Sequence, residues 1–212
     1  MDKDICLHAI YAESELYNSK VTLRILKQIL ESKALLSARL RNDMNGRIFY
    51  NGLDYISLCD YAKKDINFDQ SAYDNYICYS LSLMFPKEAL PIINPIIIPF
   101  NGVDEAYFSR MEELGLSKTD RYSDMPDEVQ VKDSIPLKLM TGITLPVKRM
   151  SDIILPEAIT CSIVYKQINK INELLTQYGY QLPIYDIDTF ELLHDELKTK
   201  KLIKHYIKKK EI

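Results

Sequence analysis

The sequence predicts an α+β fold in two parts. Residues 1–148 would form a strand-rich part, and residues 149–212 would form a helical C-terminal extension. In the first part, short alternating or β-branched segments are separated by turn residues. After residue 148, apolar residues recur at the spacing of a helix. This order of strands followed by helices is the reason for dividing the chain at residue 148.

The strands are predicted from apolar runs and from alternation of apolar and polar residues. Residues 5–12 form a short apolar run, which is typical of a buried strand. Residues 76–85 alternate clearly, so that every second side chain from Ile77 to Phe85 would share one face. The predicted strands are residues 5–12, 54–60, 76–85, 92–99, 128–131 and 135–147, with a helical turn at 137–140 inside the last.

Four helices are predicted from apolar residues three and four positions apart. Asn18 or Ser19 would cap the first helix, and Gly115 and Gly179 would end the second and third. The predicted helices are residues 21–36, 104–114, 159–178 and 187–207.

Composition indicates a folded, non-membrane protein. The 212 residues include 47% apolar and 27% charged residues, with a net charge of -3, which excludes a disordered chain. No uncharged run is long enough for a membrane span. The four cysteines, Cys6, Cys59, Cys78 and Cys161, are far apart, so we expect reduced thiols and a cytoplasmic protein. Translocation into a host cytosol stays open.

The sequence contains no motif for binding a metal ion and none for a phosphate-binding loop. His8, His194 and His205 lie in three different regions, and no pair of ligands has workable metal spacing. The sequence contains no P-loop, no dinucleotide fingerprint and no nucleophile elbow. We therefore predict no metal site.

Residues 126–146 are the most informative segment. Glu128 opens an apolar strand, and Ile135-Pro136, a helical turn and a Gly-Ile-Thr-Leu-Pro sequence follow. This resembles the terminal catalytic segment of the ADP-ribosyltransferase superfamily, in which a Glu leads a strand that an Ile-Pro turn follows.

Other pieces of the same resemblance fall in the family's order. Residues 7–10, with His8, resemble its first strand in the His-Tyr-Glu branch. Residues 21–37 look like the helix that follows, with a Leu-Leu-Ser ending. Residues 54–58 resemble the middle strand of DarT-type toxins. The resemblance covers residues 5–147 as an order of motifs.

The resemblance implies a split β-sheet that binds NAD as a substrate and transfers ADP-ribose, as in bacterial toxins and effectors. Glu128 would be the catalytic residue and would hold the ribose 2'-hydroxyl, while His8 would bind the adenosine ribose. The chemistry agrees, because breaking the glycosidic bond of NAD creates an oxocarbenium-like ribose that a carboxylate stabilises. The expected nicotinamide and pyrophosphate contacts are Tyr50, Tyr55, Ser57, Arg41 and Arg47.

The sequence favours a protein acceptor over a nucleic acid. Residues 198–211 carry seven lysines and one glutamate, a charge of +6, so the rest of the chain carries -9. An acidic body is unfavourable for phosphate contacts. The order Glu128-Val129-Gln130 also departs from the Glu-x-Glu pair of arginine-modifying members. The basic C-terminal helix would be a solvated face or would contact an acidic surface.

Other interpretations stay open. The same scaffold could hydrolyse NAD as a glycohydrolase or modify DNA or RNA, and a catalytically inactive binding module is a further alternative. His8 could be an ordinary buried histidine. Arg41 and Arg47 could be solvated loop charges.

Overall fold

A computed structural model describes residues 4–10, 19–41, 55–61, 80–91, 98–99, 127–151 and 156–208. Within them the protein is mixed α+β, with mostly antiparallel strands and several helices, as predicted. The described residues fall into two compact units. The first unit contains 4–8, 34–41, 55–61, 85–91, 98–99 and 127–139, and the second contains 9–10, 19–33, 80–84, 140–151 and 156–208. The predicted boundary at residue 148 stays a prediction.

The described strands and helices are numbered here in chain order. The strands are Ile5–Ile10 (β1), Ala34–Leu36 (β2), Tyr55–Asp60 (β3), Leu81–Pro86 (β4), Ile98–Pro99 (β5), Asp127–Lys132 (β6), Ser134–Pro136 (β7), Gly142–Leu145 (β8) and Ile184–Asp186 (β9). The α-helices are Ser19–Ser32 (α1), Val147–Ser151 (α2), Glu157–Gln177 (α3) and Glu196–Lys208 (α4). A 3-10 turn at Leu137–Leu139 agrees with the predicted helical turn.

In the first unit, four strands lie in the order β5-β6-β3-β1, and each neighbouring pair is antiparallel. The core of this ladder follows from alternation along β3 and β6. Ile56 lies opposite Val131 and Leu58 opposite Val129, and all four side chains are at most 3% exposed. Burial of this apolar face sets the register, because a slip of one residue would turn it to the other side.

The predicted helix at residues 21–36 ends early, and its last residues form a strand instead. Helix α1 stops at Ser32, and Lys33 adopts a left-handed φ of 55°. The chain then enters β2, which pairs with β7. A residue in the left-handed region ends a helix, and apolar periodicity alone cannot detect such an ending.

In the second unit, the strands lie in the order β4-β8-β9. Strand β4 is antiparallel to β8, whereas β8 and β9 are parallel. The predicted buried face of β4 is confirmed for Leu81, Leu83 and Phe85, each 0% exposed. The intervening Ser82 is also 0% exposed, so both faces of β4 are buried despite the alternating sequence. Residues 76–79 lie outside the described residues.

The last predicted helix, residues 187–207, begins too early. Residues 184–186 form β9, which the sequence analysis missed, and the chain then turns before α4 begins at Glu196. Asp195 accepts hydrogen bonds from the backbone N–H groups of Leu197 and Lys198 at 2.9 and 3.1 Å. This capping carboxylate defines the start of α4.

The third predicted helix is confirmed as α3, which begins at Glu157 and ends at Gln177. Gly179 has a φ of 80°, and Tyr180 N–H donates to the Leu175 carbonyl at 2.8 Å. This is the glycine-dependent helix ending that the sequence predicts. The predicted helix at 104–114 lies outside the described residues, as do residues 92–97 of the predicted strand 92–99. In the described ranges, no helix is long and apolar enough to cross a membrane.

A buried ion pair joins two parts of the first unit. Lys87 Nζ lies 2.5 Å from Asp60 Oδ2, and the Asp60 side chain is only 3% exposed. Burial acts to lower the pKa of Lys87, but the hydrogen bond and charge of Asp60 outweigh it and the pKa is raised. The backbone N–H of Lys87 also donates to the Asp4 carbonyl at 3.0 Å. Sequence reasoning missed this pair, since no local pattern links residues so far apart.

We expect Lys87→Met to lower the free energy of unfolding by about 2–3 kcal/mol. Loss of one partner from a buried pair costs about 3–5 kcal/mol, and partial exposure of Lys87 reduces that cost. Urea unfolding measures the change, and Lys138→Met at an exposed position serves as the control, within about 0.5 kcal/mol of the parent. A loss no larger than the control's would mean that the pair contributes nothing to stability.

Candidate functional site

Three strands of the first unit bring together the segments that the sequence analysis singled out. Strand β1 carries His8, β3 carries Tyr55 and Ser57, and β6 carries Glu128. Strand β3 lies between the other two. Segments that are about 50 and 120 residues apart in the sequence therefore occupy neighbouring strands.

His8 makes a specific contact with the middle strand. Its Nδ1–H donates to the Ser57 carbonyl oxygen at 2.8 Å. The backbone register pairs Cys6 with Asp60 and Leu7 with Cys59. At the next residue, His8, the imidazole side chain makes the contact to β3. Because Nδ1 holds the proton in this contact, Nε2 of the neutral ring is an acceptor.

The surroundings of His8 favour the neutral ring. Burial is the main reason that the pKa of His8 is lowered, and the positive charge of Arg41 lowers it further. The hydrogen bond to the Ser57 carbonyl opposes these effects only in part. The structure thus brings Arg41 within electrostatic reach of His8, although the Arg41 residue itself is exposed.

A lowered pKa for His8 predicts that acid destabilises the protein. Between the lowered pKa and about 6.5, the unfolded chain binds a proton that the folded chain does not, so stability falls as pH decreases. We expect His8→Asn, which keeps an amide donor for Ser57, to reduce this slope by up to about 1.4 kcal/mol per pH unit. Unfolding by urea at pH 7.5, 6.5 and 5.5 measures it. Parallel curves for both proteins would contradict a buried neutral His8.

The position of Glu128 is defined by its two neighbouring strands. It lies opposite Cys59 of β3 and opposite Ile98 of β5. Ser57 lies opposite Gln130, and Tyr55 lies opposite Lys132. Since alternate strand positions share a face, the positions of Tyr55, Ser57 and Glu128 belong to the same face of the β3–β6 ladder. The pairing of Leu7 with Cys59 puts the position of His8 on the other face, from which its ring reaches the Ser57 carbonyl.

A second contact joins two other segments from the sequence analysis. Strand β2, from the Leu-Leu-Ser ending, pairs with β7, which contains the Ile-Pro turn. Leu35 lies opposite Ile135, and these residues are 4% and 0% exposed. The backbone N–H of Ser37 donates to the Asp133 carbonyl at 2.8 Å, which holds the turn after β6 against the end of β2.

The side chains of some predicted NAD-binding residues are not part of the described structure. Tyr50 and Arg47 lie outside the described residues. For Tyr55 and Glu128 the structure defines the backbone position. Another tyrosine near these positions, Tyr61, directly follows β3 and is 8% exposed.

The described cysteines are unsuited to nucleophilic chemistry. Cys6, Cys59 and Cys161 are buried. Burial, together with the charge of Asp60, raises the pKa of the Cys6 thiol to about 12. Burial also raises the pKa of Cys161. Because the thiolate is the reactive form, these two side chains are inert near neutral pH.

Within the described residues, no group of three or more His, Cys, Asp or Glu side chains could hold a metal ion. Comparisons of the chain with family models, curated proteins and solved structures gave no match. The functional argument therefore depends on the arrangement of β1, β3 and β6 and on the chemistry of the residues that they carry.

Proposed function

We propose that this protein is a mono-ADP-ribosyltransferase that transfers ADP-ribose from NAD to a protein side chain. The observation that carries the proposal is the adjacency of β1, β3 and β6, with His8 bonded to the Ser57 carbonyl. Three motif segments, separated in sequence and resembling one family in their order, are neighbours in the fold.

His8 supports binding of NAD through its ring chemistry. A neutral imidazole that donates from Nδ1 to Ser57 presents Nε2 as an acceptor. Such an acceptor suits a ribose hydroxyl, which can donate a hydrogen bond. The nearby positive charge of Arg41 suits the pyrophosphate of the same substrate.

Glu128 would supply the negative charge that the reaction needs. Loss of nicotinamide from NAD leaves a ribose with oxocarbenium character, and a fixed carboxylate stabilises that charge in the transition state. The acceptor nucleophile then forms the new bond to the anomeric carbon and loses its proton. Glu128 lies on β6, which pairs directly with the strand of Ser57, so the carboxylate and the segments of His8 and Ser57 occupy neighbouring strands.

The proposed acceptor is a protein. The chain outside residues 198–211 carries a net charge of -9, which opposes the dense negative charge of a nucleic acid. A protein acceptor does not require a basic surface around the site.

The direct test is nicotinamide release from NAD by the purified protein, with and without cell lysate. If the protein is a transferase, lysate proteins should increase the release of nicotinamide, and ADP-ribose should become attached to a protein band. Release that is equal with and without lysate, with free ADP-ribose as product, would indicate a glycohydrolase instead. Attachment to added DNA or RNA would overturn the protein acceptor, and absence of release under every condition would contradict the enzyme proposal.

A further inference from the structure

The second unit contains a pocket that the NAD proposal does not use. It lies between α4 and the turn that follows β9, and its volume is about 620 Å³. Pockets of about 300–1,000 Å³ are typical for small organic ligands. None of the residues that line it belongs to β1, β3 or β6.

One side of this pocket is cationic. His194, Lys198, Lys201 and His205 all line it, and they follow one another at intervals of four, three and four residues. This spacing places Lys198, Lys201 and His205 in a row along one face of α4, and His194 lies in the turn just before the helix. All four residues are exposed, so their polar ends can reach a ligand.

The other lysines of α4 face different surroundings. Lys204 Nζ lies 3.5 Å from Glu157 Oε1 on α3, and Lys200 lines a separate pocket with Glu157 and Glu196. The pocket in question has Glu191 as its acidic lining residue. Two lysines and one carboxylate therefore line this pocket.

The pocket also has an apolar floor and a fixed wall. Leu202, which is 6% exposed, and Leu192 are the apolar residues that line the pocket. Thr189, another lining residue, donates its hydroxyl and its backbone N–H to Asp186 Oδ2 at 2.8 and 2.9 Å. Asp186 is fully buried, so the turn that forms the wall is anchored to the core of the unit.

We propose that this pocket binds a nucleotide that carries two or three phosphates. Lysine ammonium groups bind phosphate as point charges, which assigns the phosphates to Lys198 and Lys201. A planar base suits the apolar floor of Leu192 and Leu202, and imidazole rings such as His205 can stack on it. The proposal goes beyond the NAD reaction, because it concerns a different unit and different residues.

A membrane surface is a poorer partner for the same charges. A helix that binds lipid inserts its apolar face into the interface. Most apolar residues of α4 are buried within the protein, since Leu202, Ile203 and Tyr206 are 6%, 0% and 7% exposed, and Leu197, at 69%, does not by itself form an apolar face. A soluble ligand that combines phosphates with a planar ring matches both the cationic row and the apolar floor.

The test is isothermal titration calorimetry with ADP, ATP, adenosine and inorganic tripolyphosphate. We expect ADP and ATP to bind, and we expect Lys198→Glu/Lys201→Glu to weaken both at least tenfold. The matched control is Lys166→Glu/Lys170→Glu on α3, which makes the same charge change at exposed positions and should stay within twofold of the parent. Thermal unfolding without ligand establishes that both double variants are folded.

Several results would overturn the nucleotide site. These are absence of ADP and ATP binding, an equal loss in both double variants, and tripolyphosphate binding as tightly as ATP. His8→Asn separates this site from the proposed NAD site, which could also take up the adenosine diphosphate portion that ADP shares with NAD. It should weaken only that binding event and leave unchanged the one that Lys198→Glu/Lys201→Glu weakens. An ATP affinity that His8→Asn lowers and Lys198→Glu/Lys201→Glu leaves intact would place the nucleotide in the first unit and contradict the proposal.

Discussion

Glu128→Gln is expected to lower nicotinamide release from NAD by about 10²–10³-fold, the loss typical when one charge-stabilising group is removed from a transition state. The substitution keeps the size of the side chain and removes its negative charge. Because the oxocarbenium character develops in the transition state, kcat should fall much more than KM rises. Steady-state kinetics with a nicotinamide assay measures both constants.

Asp127→Asn is the matched control, because it neutralises the adjacent carboxylate of the same strand. Asp127 lies opposite Pro99, whereas Glu128 lies opposite Ile98 and Cys59. Adjacent strand positions belong to opposite faces, so the control should retain nearly full activity. Equal losses of activity in Glu128→Gln and Asp127→Asn would show that the negative charge of the strand matters in general and that Glu128 has no special role. Full activity of Glu128→Gln would refute Glu128 as the catalytic carboxylate.

Asp186→Ala is expected to lower the free energy of unfolding by about 3–5 kcal/mol. Asp186 Oδ2 accepts three hydrogen bonds, from Tyr206 Oη at 2.6 Å and from the Thr189 hydroxyl and backbone N–H. Both the Asp186 side chain and the Tyr206 ring are buried, at 0% and 7% exposure. Removal of the acceptor leaves the buried Tyr206 hydroxyl unsatisfied, which costs about 1–3 kcal/mol, and it also removes two hydrogen bonds to a carboxylate from the exposed Thr189.

Tyr206→Phe provides the comparison, because it removes one donor and leaves the carboxylate with Thr189. We expect a loss of about 1–2 kcal/mol, clearly smaller than that of Asp186→Ala. Burial, together with the negative charge of Asp186, raises the pKa of Tyr206, so its hydroxyl stays a donor at every pH used for folding studies. Equal losses in the two variants, measured by urea unfolding, would contradict the three-donor arrangement.

The most regular elements could be predicted from the sequence because their signals are local. Helix α3 has a long apolar periodicity and a terminal glycine, and β3 alternates along its length. The two wrong helix boundaries have one shared cause. Residues 34–36 continue an apolar pattern, but pairing with β7 makes them β2, and residues 187–195 have an apolar pattern but form a turn after β9 that ends at the Asp195 cap. In both places a contact outside the local pattern decides the boundary.

The candidate site was predictable only in part. Resemblance of short motifs identified His8, Ser57 and Glu128 as positions of interest. The bond from His8 to the Ser57 carbonyl and the influence of Arg41 on its pKa join residues 33 to 49 positions apart. The Asp60–Lys87 pair had no signal of this kind, since a lysine near a strand end is usually a solvated charge.

Local patterns predict the α+β class, most of the buried strands, the end of α3 at its glycine and the carboxylate and histidine chemistry available to the protein. The folded structure is needed to show which strands are neighbours, where α1 stops and which charges are buried together. The physical reason is that periodicity and capping act over a few residues, within reach of a local pattern. Strand pairing, burial of Asp60 and Asp186, and the cationic row beside the β9 turn depend on contacts that exist only after distant segments have packed.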